Sequence, residues 1–225
     1  MTDRLLPLLH LCDSLFPTGA FAHSDGLEWA TDGAFVASAA DLGAWMDASL
    51  SQLLARADGP VVWLAWHAYS GRDWRSLSAV NAESFALRPS AVGRQATRAM
   101  GVRLVRTWQQ LYGPHGFDEM LAAIDVERTI TLPAAFGVVC ASIGVDARAS
   151  VEAFIYTRLA SIASAAMRLI AIGQHEAHRA LAMRLRTVGP VIDAIAVHPV
   201  VSSFAPAQDL AAMSHQYVHS RLFKS

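Results

Sequence analysis

Lysine is nearly missing from this chain: Lys224 is the one lysine among the 18 Lys and Arg residues of a 225-residue sequence. A phosphate-cradling G-x-x-x-x-G-K-[ST] loop needs a lysine directly after glycine, and none stands there, which excludes nucleotide hydrolysis by that device. Cysteine is scarce too. Cys12 and Cys140 are far apart, and neither has a second thiol nearby in sequence for a thiolate metal site. Charge is thin, at 16% of residues against roughly 25% in an average soluble domain. The formal net charge of −1 and pI near 6.7 provide no field to gather nucleic-acid phosphates or an anionic membrane face. No transmembrane run exists either. The longest uncharged stretch, Thr129 to Val145, is interrupted by Pro133, Gly137 and Gly144 and falls short of the roughly 20 apolar residues a spanning helix needs, so it reads as buried. No basic segment, apolar run and cleavage site opens the chain, and the expected compartment is the cytoplasm.

What is abundant is apolar: 53% of residues belong to the hydrophobic class. A chain of this length buries roughly 70% of its unfolded surface in one core, and the few charges leave apolar exterior suited to a partner. Apolar residues recur at three- and four-residue spacing and sustained alternation is absent, so the class is all-α, a single-domain helical bundle of about ten helices. The domain covers 1–225, with a flexible N-terminal segment of about 1–24 and a C-terminal tail of about 203–225. Ser38, with Asp41 in capping-box position, opens a helix whose face carries Leu42, Trp45, Met46, Leu53 and Leu54, and Asp58-Gly59-Pro60 is expected to stop it. Further helices are expected from Pro60 to Tyr69, Asp73 to Leu87, Ser90 to Tyr112, near Asp118, from Pro133, and from about Glu176 to Arg186, with a last apolar one before His198-Pro199. Ala147 to Ile172 is alanine-rich, which lets neighbouring axes approach, and is the candidate central helix. Arg158 and Arg168 interrupt it ten residues apart, within roughly 80° of each other on the helix, and suit a buried or interface polar role.

The most distinctive stretch runs from Leu9 to Trp29. Pro17 and Gly19 define a tight turn, Phe16 and Phe21 can anchor it in an apolar pocket, and Asp25 with Glu28 resembles a helix-start box. An anchored connector needs these residues whether or not it binds anything, so a purely structural role stands beside a partner-facing one.

The pattern L-x-x-S-x-x-P-x-G-x-F-x-x-S-x-G-L-E, carried by Leu11, Ser14, Pro17, Gly19, Phe21, Ser24, Gly26, Leu27 and Glu28, resembles the opening signature of the UreF family of urease accessory proteins. Ala165 to Gln174, with Arg168, Gly173 and Gln174, resembles that family's A-x-x-R-L-x-P-L-G-Q, and Met213-Ser214-His215 through Ser220-Arg221-Leu222-Phe223-Lys224-Ser225 resembles its tail. Weaker agreement occurs at Arg98 to Gly101 and Pro133 to Gly137. Ala171, His178 and Gln216 depart from the family pattern, which has proline, glutamine and glutamate there. The resemblance implies a non-catalytic homodimer that binds UreD, also called UreH, recruits or regulates the GTPase UreG, and acts with them to deliver nickel into apo-urease. Nickel and GTP would then be handled by the partners, with no cofactor bound directly. Candidate partner-binding residues are Phe16, Pro17, Gly19, Phe21, Ser24, Gly26, Glu28, Arg168, Gly173, Gln174, His215, Ser220, Arg221, Leu222 and Phe223. The tail combines a guanidinium with two apolar anchors and is expected to order only when UreD binds.

Nine histidines raise an alternative, a small helical nickel-binding protein or metalloenzyme. His175 and His178 stand at i, i+3 and His215 and His219 at i, i+4, so each pair could share a helix face, but two ligands leave a site incomplete and no H-E-x-x-H occurs. Arg94, Arg98, Arg103 and Arg106 share one long helix and form either a solvated face or a patch for acidic partners. Trp45, Trp63, Trp66, Trp74 and Trp108 read as core and helix-contact residues. Among carboxylates, Glu119, Asp125 and Glu127, or Asp13 with Asp25, show no spacing that marks an acid/base pair, and no G-x-S-x-G nucleophile signature is present. A membrane-surface protein is disfavoured because no lysine-rich amphipathic segment exists.

Overall fold

The computed structural model describes residues 2–114, 116–124 and 130–224. Every regular element among the described residues is helical, as the three-and-four spacing requires. Helix α1 spans Thr2–Cys12, α2 Leu27–Asp32 and α3 Ala39–Ala48. The capping box of α3 forms as its spacing predicts: the Ser38 hydroxyl accepts the Asp41 N–H at 3.2 Å and the Asp41 carboxylate accepts the Ser38 N–H at 3.0 Å. Two donors that the first helical turn leaves open are thereby satisfied.

The stop expected at Asp58-Gly59-Pro60 does not occur. Helix α3 runs on through a π-helical stretch, Ser49–Asp58, directly into α4, Gly59–Ser70, and Gly59 keeps right-handed helical angles of φ −62° and ψ −48°. Its N–H reaches the Leu54 carbonyl, the five-residue step of a π turn. Pro60 has no N–H to offer the Arg56 carbonyl four residues back. That carbonyl instead accepts the Ser202 N–H at 2.8 Å. A widened turn and a donor from the far end of the chain together let the proline pass inside a helix.

Helices α5 (Trp74–Ala86), α6 (Ala91–Tyr112) and α7 (Phe117–Ala123) follow, then α8 (Leu132–Ser142), α9 (Ala147–Leu169), α10 (Gln174–Leu185), α11 (Val188–Val197) and α12 (Pro206–Ser214). Asp73, Ser90 and Asp146 cap α5, α6 and α9, each side chain accepting the N–H of the residue three positions on. The uncharged stretch forms α8, buried from Leu132 to Cys140. It packs most extensively on α4. The two backbones approach closely because Gly137 has no Cβ; one added there would collide with the Val62 carbonyl oxygen. No described helix is long and apolar enough to cross a membrane. Helix α9 is central, as its alanines suggest: it contacts α1, α2, α3, α4, α8, α10 and α11, with Ala163, Ala165 and Ala166 buried between neighbours. One apolar cluster joins residues from Leu11 to Phe223.

Candidate functional site

After α1 the chain turns around Phe16, which is buried against His10 and Trp108 at ring-centroid distances of 5.1 and 5.8 Å. Anchoring by Phe16 is as expected, and Pro17 is exposed beside it; the side chain of Phe21 lies outside the described residues. Gly19 adopts φ +83°, and the Arg103 guanidinium fills the space a side chain would need there.

The helix-start box expected of Asp25 and Glu28 is absent, because both carboxylates have other partners. Asp25, itself at φ +52°, pairs with the Arg158 guanidinium on α9, a side chain only 11% exposed. Ser24 takes over part of the cap, its hydroxyl accepting the Glu28 N–H at 3.4 Å. Glu28 is then free to turn toward the tail. Its carboxylate lies 2.6 Å from Nε2 of His215, accepts the Leu222 N–H at 2.5 Å and accepts the Phe223 N–H at 3.3 Å. Glu28 and His215 are 3% and 2% exposed, so these bonds form away from water. A carboxylate that is ionised only accepts, and the hydrogen of the Glu28–His215 bond then sits on Nε2. One residue further on, the Lys224 N–H donates to the Ala22 carbonyl at 2.8 Å.

Two packing contacts complete the seat. The Arg168 guanidinium sits 4.2 Å from the ring centroid of buried Phe223, an attractive cation–π arrangement. Gly26 lies at φ +83° against α12, where an added Cβ would stand 2.8 Å from the Ala211 Cβ and 2.9 Å from the Ala212 nitrogen. Around this seat the charges are unequal. Burial, reinforced by Arg158, Lys224, Arg103 and His215, lowers His23 from its ordinary 6.5 to about 4. Burial also lowers Arg158, to about 10, which leaves it cationic at neutral pH.

The sequence model of the UreF family matches residues 36–184, more than half of the chain. This chain belongs to the UreF family. It is 30% identical to the urease accessory protein UreF of Cupriavidus metallidurans, with 99% of this chain and 98% of that protein aligned, and 31% identical to that of Ralstonia pickettii over 99% and 98%. It is also 32% identical to the bifunctional urease accessory protein UreEF of Bordetella bronchiseptica, of which it covers 52%. The family model spans α3 to most of α10, while the full-length relatives extend across the Glu28 loop and the tail.

Three segments far apart in sequence, each resembling a UreF motif, therefore meet at one place: Ser24, Gly26 and Glu28 from the first, Arg168 from the second, and His215 and Phe223 from the third. Ser220, Arg221 and Leu222 are exposed beside them, Leu222 at 70%. Gly173 and Gln174 stand apart at the exposed start of α10, where the Gly173 N–H donates to the Glu176 carboxylate at 3.3 Å. The tail, expected to order when UreD binds, has contacts within the chain in this geometry. Glu28 supplies acceptors for the tail's own N–H groups, and Phe223 already has a pocket within the chain.

Other expectations change as well. His215 and His219 do not share a helix face, because α12 ends at Ser214, a short 3₁₀ turn covers His215–Tyr217, and Val218 is extended. His175 and His178 are exposed one turn apart on α10, and no group of three or more metal-ligating side chains forms among the described residues. Arg94 turns back to the Arg88 and Pro89 carbonyls at 2.6 and 2.9 Å, leaving the exposed arginine face of α6 to Arg98, Arg103 and Arg106. Asp13 caps its own turn through the Leu15 N–H, remote in role from Asp25. Glu119 pairs with Arg72 at 3.3 Å, and Asp125 and Glu127 lie outside the described residues. Trp108 is core, while Trp45, Trp63, Trp66 and Trp74 pack on the core's edge, Trp66 donating to the Val145 carbonyl at 2.7 Å.

Proposed function

We propose that this chain is a non-catalytic scaffold of urease maturation, which as a homodimer binds UreD (UreH), recruits or regulates the GTPase UreG, and with them delivers nickel into apo-urease in the cytoplasm. Nickel and GTP are handled by the partners. The observation that carries this reading is the seated tail: Glu28, Arg168 and the Phe223 pocket fix a segment whose next side chains, Ser220, Arg221 and Leu222, face outward. A guanidinium beside an exposed leucine is the composition of an interface anchor, and holding it in place before binding spares the entropy of ordering it later. Further apolar surface is offered by α1, where Leu5, Leu6 and Leu9 are 55%, 66% and 56% exposed. A scaffold of this kind raises the local concentration of the GTPase beside its target and biases one of its conformations by differential contact.

The test is co-purification of the full chain with UreD and UreG. The wild-type chain should capture both, and the double variant Arg221→Ala, Leu222→Ala should lose UreD with its helical circular-dichroism signal unchanged. Undiminished UreD capture by the double variant would remove the tail from the interface, and a wild-type chain that captures neither partner would end the scaffold reading. Tight stoichiometric metal on the isolated, tag-free chain would favour a metal-binding role built on His175 and His178.

A further inference from the structure

The turn between α2 and α3 holds an aromatic ring largely in water. Ala34 takes φ +58°, a left-handed angle that a residue with a Cβ adopts at a cost. Two hydrogen bonds fix the turn, the Phe35 and Val36 N–H groups donating to the Ala30 carbonyl at 2.8 and 3.1 Å. Phe35 is thereby laid on Trp29, with ring centroids 5.3 Å apart and planes 22° from parallel. It stays 66% exposed, so filling the core does not account for its place.

Beside this stack is a cavity of about 380 Å³, and a third ring, that of Trp45 on α3, also lines it. Ala30, Ala44, Ala48 and Ala207 line it too, and their small side chains leave the space open. Asp41 is the one charged residue at its wall; no lysine, arginine or histidine lines it. Asp41 stands four residues before Trp45 on α3, so the carboxylate and the indole are neighbours on one helix face. Hydrogen bonds from the Ser38 hydroxyl and the Ala37 N–H hold the Asp41 carboxyl below the ordinary carboxylate range, so it is ionised at neutral pH. The donors that reach it, the Ser38 hydroxyl and the Ser38 and Ala37 N–H groups, all end on Oδ2, at 2.7, 3.0 and 3.2 Å. Oδ1 accepts no hydrogen bond among the described residues, which leaves its lone pairs open.

Aromatic rings and an open carboxylate oxygen, with no cation among them, complement a positive charge and disfavour a negative one. A guanidinium is planar and weakly hydrated, and it stacks on rings while its N–H groups still donate in its own plane, so one group can meet both features. A small free cation would leave Phe35 and Leu210, 66% and 52% exposed at the wall, in water. A protein surface that carries the cation covers both as it docks.

We infer that the cavity between α2, α3 and α12 receives an arginine side chain of a protein partner, held by the rings of Trp29, Phe35 and Trp45 and by Oδ1 of Asp41. The partner rests on the scaffold reading; the ligand chemistry does not.

NMR of the indole N–H signals of the full chain, titrated with N-acetylarginine amide and with its neutral isostere N-acetylcitrulline amide, tests that chemistry with no partner present. The Trp29 and Trp45 signals, assigned through Trp→Phe variants, should shift saturably with the arginine compound and not with the citrulline one, while buried Trp108 stays in place. Phe35→Leu keeps an apolar side chain, loses the ring and should weaken binding about two- to fivefold. Asp41→Asn keeps a side chain that can cap α3, loses the charge and should weaken it as well. No shift with arginine, equal shifts with citrulline, or unchanged affinity in both variants overturns the inference. Co-purification tests the source. The wild-type chain should capture UreD, UreG and apo-urease, and the double variant Phe35→Leu, Asp41→Asn should lose at least one of them. Undiminished capture of all three overturns the partner assignment, and so does loss of self-association alone, which puts the arginine on a second copy. A wild-type chain that captures none ends the scaffold reading and the partner with it, while the indole titration still decides whether the cavity takes a guanidinium.

Discussion

A carboxylate at 3% exposure is stable as an ion only where donors replace the water it has lost, and for Glu28 those donors are His215 and two tail N–H groups. Glu28→Ala strands all three at once. Leaving a buried donor without its acceptor costs about 1–3 kcal/mol, so this variant should unfold at distinctly lower guanidinium concentration. Hydrogen exchange at the Leu222 and Phe223 amides should accelerate while α4 and α8 stay protected; unchanged exchange at those two amides would show that Glu28 does not hold the tail. His23 gives a pH signature. Its folded value of about 4 lies below the ordinary 6.5, so the unfolded chain binds more protons in between. The stabilising contribution is complete above about pH 6.5 and is lost as pH falls through the window toward 4. His23→Gln should therefore flatten the fall in guanidinium midpoint between about pH 7 and about pH 4.5, and parallel slopes for the two proteins would assign the titration elsewhere. At this scale the sequence names Glu28, His215 and Phe223 through their motifs, but not their mutual contacts. Spacing suggests that Asp25 caps α2, and only the fold brings Arg158 close enough to claim that carboxylate instead.

Helices obey the same division between local and distant causes. The caps at Ser38, Asp73 and Ser90 act over three residues, and each helix start that they mark stands where the spacing puts it. Pro60 misleads because the rule that proline ends a helix assumes no outside donor for the abandoned carbonyl, and Ser202 supplies one. The contact of α4 with α8 carries the sharpest prediction for an element. Gly137→Ala forces a methyl group onto the Val62 carbonyl, rigid backbone that cannot rotate away, and should destabilise the chain by about 1–3 kcal/mol. Gly173→Ala is the control, since nothing lies within 4 Å of the added Cβ and its φ is negative. Equal denaturation midpoints for these two variants would mean that α4 and α8 are not pressed together at Gly137.

On the scale of the whole chain, the apolar cluster draws on both termini, with Leu11 and Phe16 from the start and Phe223 from the end. Among the described residues one cluster spans the bundle, so unfolding should be one cooperative event. Tryptophan fluorescence reports chiefly on the first half, through Trp29, Trp45, Trp63, Trp66, Trp74 and Trp108, while far-UV ellipticity reports on every helix. The two guanidinium transitions should coincide. Truncation after Ser214 removes His215, Val218 and Phe223 from buried positions and leaves Glu28 without its donors. Because the tail covers the bundle and does not compose a unit of its own, the truncated chain should unfold at a lower midpoint, still in one transition with both probes together. If the probes separate only in the full chain, the tail and its loop form a second folding unit; if they separate in both, α9 does not couple the two halves of the bundle.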